Sequence, residues 1–432
     1  MSKISILILI LLFLSNCSND KKQGFFSKNK SKVEKIEKVQ TILTKQERKE
    51  REFNPTLKIK VSNGKYNKNF HNNQNDVGEL SYKGELKKKG KYKFSKFDNF
   101  ENIDVQPVFY NENVIFSDNK GKIILYNENQ KKIWKKNFYN KSERKIKPRL
   151  NFARYKDILI VTDSVAKYYA INISTGEIIW SKNNIVPFNS HIKIKNDRFY
   201  VVDYKNILRS ISIKDGSEFW NLKTTESLTK SNTKISIAIK GKNIYFNNSI
   251  GDITAVNLKS GQLIWQLPTQ SNNISNNAFQ LSSSKLVVSE KSIFFSNNKN
   301  EFYSIDLDTG LINWKNKINS NLQPIIIDKF VITVSKKGYL YIVEKKTGNI
   351  IRINDLHKDY KIKKRVEIST TGFLVARNKI YLSNNNGKLL IADLSTGNVL
   401  NTIKISGSKI LKPYIHNNNL FLIKNGSIIK FN

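Results

Sequence analysis

One cysteine, four histidines and 35 carboxylates are what this chain of 432 residues could use for covalent, metal or proton-transfer chemistry. Cys17 is the only cysteine, so no disulfide can form within the chain and no cysteine-based zinc site can be built. His71, His191, His357 and His416 are far apart, and none stands at metal-ligand spacing from another. No Ser-His-Asp order, glycine-rich phosphate loop or paired-carboxylate motif stands out. Acidic residues such as Asp306, Glu344 and Asp393 recur at one position of an internal repeat, which points to turn formation rather than to calcium binding. These observations speak against an enzyme and against a bound cofactor or metal.

The chemistry that does fit is acylation of Cys17. Lys3 gives a positive start, Ile4 to Leu14 is an apolar run too short for a comfortable membrane span, and the run ends in Leu14-Ser15-Asn16-Cys17. This resembles a bacterial lipobox, although Asn16 stands where Gly, Ala or Ser is usual. The expectation is a signal peptide over residues 1–16 and lipid on Cys17, each buried methylene adding roughly 0.8 kcal/mol of membrane affinity. The competing reading is an uncleaved anchor with an incidental cysteine. Ser18, rather than Asp, follows Cys17, which by the usual sorting rule favours the outer membrane and a periplasmic chain.

The net charge is +39, from 74 basic and 35 acidic residues. The basic residues are mostly Lys, spread along the chain and accompanied by Asn and Ile, so the charge reads as compositional bias and no nucleic-acid partner is indicated. It should still draw the surface toward anionic headgroups or acidic partners. Residues 17–80 read as a charged tether. Val33, Ile36, Val39 and Leu43 allow a short amphipathic helix, a solvated spacer being the equal alternative, and residues 54–79 read as an irregular linker.

From about residue 100 the chain repeats itself. YYAINISTGEIIW (168–180), LRSISIKDGSEFW (208–220), ITAVNLKSGQLIW (253–265) and FYSIDLDTGLINW (302–314) are the clearest copies, and IILYNENQKKIW (123–134) is a degenerate first one. LYIVEKKTGNIIR (340–352) and LLIADLSTGNVLN (389–401) keep the turn and lose the tryptophan. All five tryptophans, Trp134, Trp180, Trp220, Trp265 and Trp314, share one repeat position, which Arg352 and Asn401 take in the last two copies. The spacing averages about 44 residues, a propeller-blade period.

Within a copy, a β-branched run (Ile158 to Val161), a polar turn, a second run (Tyr168 to Ile173), a Ser-Thr-Gly turn and a third run ending at Trp180 read as antiparallel strands. An earlier short strand, such as 104–110 in the first copy, makes four per sheet. Gly176, Gly216, Gly261, Gly310, Gly348 and Gly397 supply positive φ at the turn. A tryptophan just after it, on the outer strand, is placed to dock on the neighbouring blade and to donate its indole N–H. Eight second-strand starts can be counted, from Val114 to Leu420. The eighth copy (410–432) has three strands, so a strand near Tyr92-Lys93-Phe94, within residues 90–97, is expected to complete it and close the ring. The fold class is all-β: an eight-bladed propeller of four-stranded antiparallel blades over residues 81–432.

The unit [Asp/Asn]-x-x-[Ser/Thr]-Gly-x-x-x-Trp, with Ala or Ser two residues ahead, is similar to the repeat of PQQ-type quinoprotein propellers. Ala170, Asn172, Thr175, Gly176 and Trp180 fit it, as do the copies ending at Trp265 and Trp314. With the lipoprotein start, the chain resembles the BamB family of outer-membrane assembly factors. The resemblance implies an accessory lipoprotein of the β-barrel assembly machinery that binds BamA POTRA domains, contacts other subunits and assists unfolded outer-membrane proteins. In that family a loop entering the fourth blade presents Leu and Arg to BamA. The nearest match is Leu228 with Lys230, and Lys cannot reproduce bidentate Arg pairing, so an ordinary exposed loop is the competing reading. The alternatives in function are a PQQ-dependent dehydrogenase and an envelope lipoprotein propeller that binds glycan or another complex.

Overall fold

The computed structural model describes residues 52–53, 72–225, 233–269, 282–297 and 299–432, all within one compact unit from Glu52 to Asn432. The β-branched and aromatic runs become strands and the Asn-, Asp- and Gly-centred segments become the turns between them. Among the described residues the strands form eight sheets, each with four antiparallel strands, and one sheet carries a fifth, parallel strand. Seven are sequential blades: blade 1 (108–136), blade 2 (150–183), blade 3 (193–223), blade 4 (237–267), blade 5 (287–316), blade 6 (325–355) and blade 7 (370–404). Blade 8 takes three strands from 414–431 and its outermost from Lys88–Lys93.

The packing shows that the ring is closed. Eight hydrophobic cores are found, and each joins two consecutive blades. The last pair is blade 8 with blade 1, through Tyr92, Tyr414 and Phe421 against Val114, Phe116 and Tyr126. Middle strands are covered on both faces, which is why they read as continuous apolar runs, Leu159 to Val161 and Phe294 to Phe295 among them. Outer strands are mostly exposed, as in Ile178–Asn183.

Lys88–Lys93 pairs antiparallel with Ser427–Phe431. The strand thus begins earlier than the sequence suggests and ends before Phe94, whose N–H donates instead to Gly426 O at 3.1 Å. Residues 72–80, expected within the tether, are built into the propeller. Asn73 Nδ2 donates to Ile194 O in blade 3 at 2.9 Å, and Asn75 Nδ2 donates to Ile237 O in blade 4 and to Leu286 O beside blade 5, each at 2.9 Å. Glu79–Leu80 then pairs in parallel with the inner strand of blade 7. Phe53 bridges to Ile353 on the outer strand of blade 6.

In blades 1 to 7 the pairing of the third and outer strands slips by one residue, a β-bulge. The residue just past the bulge is the tryptophan position. Trp180, Trp220, Trp265 and Trp314 therefore stand opposite Ala170, Ser210, Ala255 and Ser304, small residues that leave room for the indole. Trp134 faces the larger Leu125, and at the positions without tryptophan Ile342 faces Arg352 and Ile391 faces Asn401.

Candidate functional site

The repeat residues come together across the blade boundaries. Each tryptophan lies over the turn glycine of the next blade. A Cβ on Gly176 would come within 2.9 Å of the Trp134 ring, and one on Gly310 within 2.6 Å of Trp265. Gly216, Gly261 and Gly348 meet Trp180, Trp220 and Trp314 in the same way. These glycines have φ near +71° to +79°, so the position excludes a side chain twice, by backbone conformation and by the indole above it. The sequence explains only the first reason. Four indoles also donate to the carbonyl just past the third strand of the next blade: Trp134 to Ile173 O (2.8 Å), Trp180 to Ile213 O (2.8 Å), Trp265 to Leu307 O (3.0 Å) and Trp314 to Lys345 O (3.0 Å).

The boundaries between blades 3 and 4, 6 and 7, and 7 and 8 satisfy the same carbonyl by other means. Trp220 Nε1 has no acceptor, and Tyr200 Oη donates to Leu258 O at 3.4 Å. Arg352, buried at the tryptophan position, donates to Leu394 O at 3.5 Å and to Ser395 O, while Gly397 lies against Asn354. At the blade 7–8 boundary Asn401 is exposed, and Tyr82 from the pre-blade segment donates to Asn432 O at 2.9 Å. At blade 8–1 the arrangement is inverted. Gly90 follows the bulge of the closing strand, and Gln130 at the blade 1 turn, with φ of 60°, packs over it.

The acidic turn residues are occupied by the turns. Asp306 Oδ1 accepts from Asp308 N (3.0 Å) and Thr309 N (2.9 Å), Asp393 Oδ1 accepts from Thr396 N (2.8 Å), and Glu344 Oε2 accepts from Thr347 Oγ1 (2.5 Å). Among the described residues no three His, Cys, Asp or Glu side chains converge as a metal site. Cys17, Leu228 and Lys230 lie outside the described residues, as do Val33, Ile36, Val39 and Leu43.

The inner strands of neighbouring blades meet around a central channel. One end holds a cavity of about 870 Å³ whose lining includes Asn75, His191, Lys193, Lys285, Gln323 and Asn418. Residues 72–75 form part of its wall. Lys193 Nζ donates to Asn72 O (2.5 Å) and Asn75 Oδ1 (2.6 Å), and Gln323 Nε2 donates to Asn75 O (2.6 Å). Lys412 Nζ donates to Gln323 Oε1 at 2.8 Å and Lys234 Nζ to Asp104 O at 2.7 Å. Burial pushes the Lys193 ammonium down to about 7, with Lys285 repelling it. Burial brings Lys285 to about 8, Asp104 opposing that fall and Lys234 adding to it. Lys412 falls well below the usual lysine range for the same reason, with Lys285 repelling it. The sequence shows none of this convergence, because the lysines come from loops and strands of different blades.

Comparison with known proteins agrees with this architecture. A family model described as outer membrane protein assembly factor BamB matches residues 119–354. The crystal structure of BamB from Moraxella catarrhalis superposes with a TM-score of 0.64 at 14% identity, covering 80% of this chain and 99% of that one. The computationally designed Ika8 protein gives a TM-score of 0.60 at 12% identity, covering 79% and 99%. Quinohemoprotein alcohol dehydrogenase from Comamonas testosteroni gives 0.59 at 12% identity, covering 82% and 78%. These identities establish likeness of fold alone. No curated protein matches the sequence.

Proposed function

Since the chain belongs to the BamB family of PQQ-repeat propellers, its matched region spanning residues 119–354, we propose that it is a non-catalytic scaffold of the outer-membrane β-barrel assembly machinery. The family match carries this reading. In it, residues 1–16 are a signal peptide, Cys17 is acylated, and the lipid holds the propeller on the periplasmic side of the outer membrane. The partners are BamA POTRA domains and other subunits, with unfolded outer-membrane proteins as clients. Leu228 and Lys230 are the positions to test first for POTRA contact.

The geometry supports a scaffold. Eight interlocked cores hold the loops in fixed relation, so they can present a composite surface. The tryptophans and turn glycines serve to dock the blades. The likeness to a quinohemoprotein dehydrogenase is a likeness of fold.

The test is affinity purification of the lipidated protein from detergent-solubilised membranes. Recovery of a POTRA-containing barrel protein is expected. Its reproducible absence, with another envelope complex in its place, overturns the reading. Adding PQQ and calcium to the purified protein should leave its absorbance unchanged and yield no dye reduction; a turnover signal would favour the dehydrogenase alternative.

A further inference from the structure

We propose that the central channel is a binding site for a small multivalent oxyanion, of polyphosphate or polycarboxylate chemistry, held by Lys193 and Lys285 with Lys234 and Lys412 behind them. This is independent of the assembly role. Lys193 and Lys285 line the cavity. The Lys285 ammonium has no hydrogen-bond partner among the described residues, and it faces Lys193, Lys234 and Lys412. The carboxylate among them is Asp104, which faces Lys234, Lys285, Lys409 and Lys412 and lies 3.7 Å from His191. Lys409 also faces Glu101, and Arg149 repels Lys234.

Asp104 thus serves Lys234, Lys285, Lys409 and Lys412 together, while Lys193 faces Lys285 with no carboxylate opposing it; in this partly enclosed space repulsion is less screened than in open solvent, and an anion with two or more charges gains most. Asn72, Asn73 and Gln323 add neutral polar groups to the wall. The volume, about 870 Å³, falls within the range of roughly 300–1,000 Å³ usual for small-molecule sites. Burial and mutual repulsion bring Lys193 to about 7 and Lys285 to about 8, so an entering anion draws protons onto this pair. Lysines on an open surface are already protonated and would take up none. Proton uptake is therefore the signature of this site.

The experiment is calorimetric titration of the folded full-length protein with sodium tripolyphosphate and, separately, citrate at pH 7.5. Hepes and Tris, which differ in ionisation heat, serve as buffers. Saturable binding of at least one probe, with net proton uptake, is expected, and the stronger probe identifies the phosphate or carboxylate source. Lys285→Gln should weaken binding at least tenfold, whereas Lys379→Gln, exposed at the start of a blade 7 strand, should leave it unchanged. Asp104→Asn should tighten binding several-fold, which keeps the test decisive should the Lys285 variant fail to fold. Non-saturable binding, binding without proton uptake, or an unchanged affinity in Asp104→Asn would overturn the proposal.

Discussion

The boundaries from blade 1 to blade 6 and those from blade 6 round to blade 1 solve one problem in two ways. In the first sector a tryptophan lies on a glycine at every boundary, and both residues belong to the repeat. In the second no tryptophan is used. Arg352 reaches Leu394 O, Tyr82 reaches Asn432 O, and Gly90 receives Gln130. The requirement is not the indole itself. A boundary needs a filled space over the bulge and a donor for the carbonyl past the third strand. Repetition supplies the filling five times and the indole donor four times, Tyr200 serving Leu258 O beside Trp220, and the closing sector draws on single residues outside the repeat.

The largest effect should come from the closing sector. Deleting residues 85–98 removes the outer strand of blade 8 and the Tyr92 and Phe97 contacts of the last core. The melting temperature by circular dichroism should fall by about 10 °C or more. An unchanged curve would mean that ring closure adds nothing to stability.

Within the repeat sector, Gly310→Ala should cost roughly 2–5 kcal/mol in urea unfolding, combining positive-φ strain with overpacking against Trp265. A cost below about 1 kcal/mol would show that the indole can move aside.

A smaller and sharper difference separates two tryptophans of that sector. Trp265→Phe loses a hydrogen bond to Leu307 O, whereas Trp220→Phe removes an N–H that has no acceptor. The first should be the more destabilising by about 1 kcal/mol in parallel unfolding curves. Equal losses would show that ring burial alone sets the value of the position.

The smallest effect concerns Lys193, which ties Asn72 and Asn75 of the pre-blade segment to blade 3. Its folded value of about 7 lies below the ordinary 10.5. Below pH 7 both states carry the proton and the folded state bears the burial penalty. Between pH 7 and 10.5 the folded state has released the proton and the unfolded state has not, so stability rises with pH. The melting temperature should be a few degrees higher at pH 9 than at pH 6.5, and Lys193→Met should reduce that rise.

What was legible in the sequence follows the same division. Trp134 to Trp314 and Gly176 to Gly397 stand out because a repeated residue announces its role by recurring. Tyr82, Arg352 and Gln130 occur once each, and only the fold shows that they meet equivalent carbonyls or a bulge glycine. The closing strand was foreseen from the missing fourth strand of blade 8, but its ends were not, since Lys88 to Gly90 carries no apolar alternation. Residues 72–80 read as linker because Asn73 and Asn75 bond to backbone carbonyls of blade 3, of blade 4 and beside blade 5, a pattern with no period. The lysines of the channel were hidden among 74 basic residues, since only closure of the ring brings Lys193, Lys234, Lys285 and Lys412 face to face.

The hydrogen bond from Tyr82 to Asn432 joins groups 350 positions apart. A ribosome, or a pore that threads the chain from its N-terminus, delivers Tyr82 long before its acceptor exists. Until then the growing arc presents two raw sheet margins to its surroundings, each able to recruit a stray strand. Quality control therefore faces an all-or-nothing object. Loss of the final half-dozen residues would strand the early segment without a mate, and a nearly finished molecule would be as sticky as a half-made one.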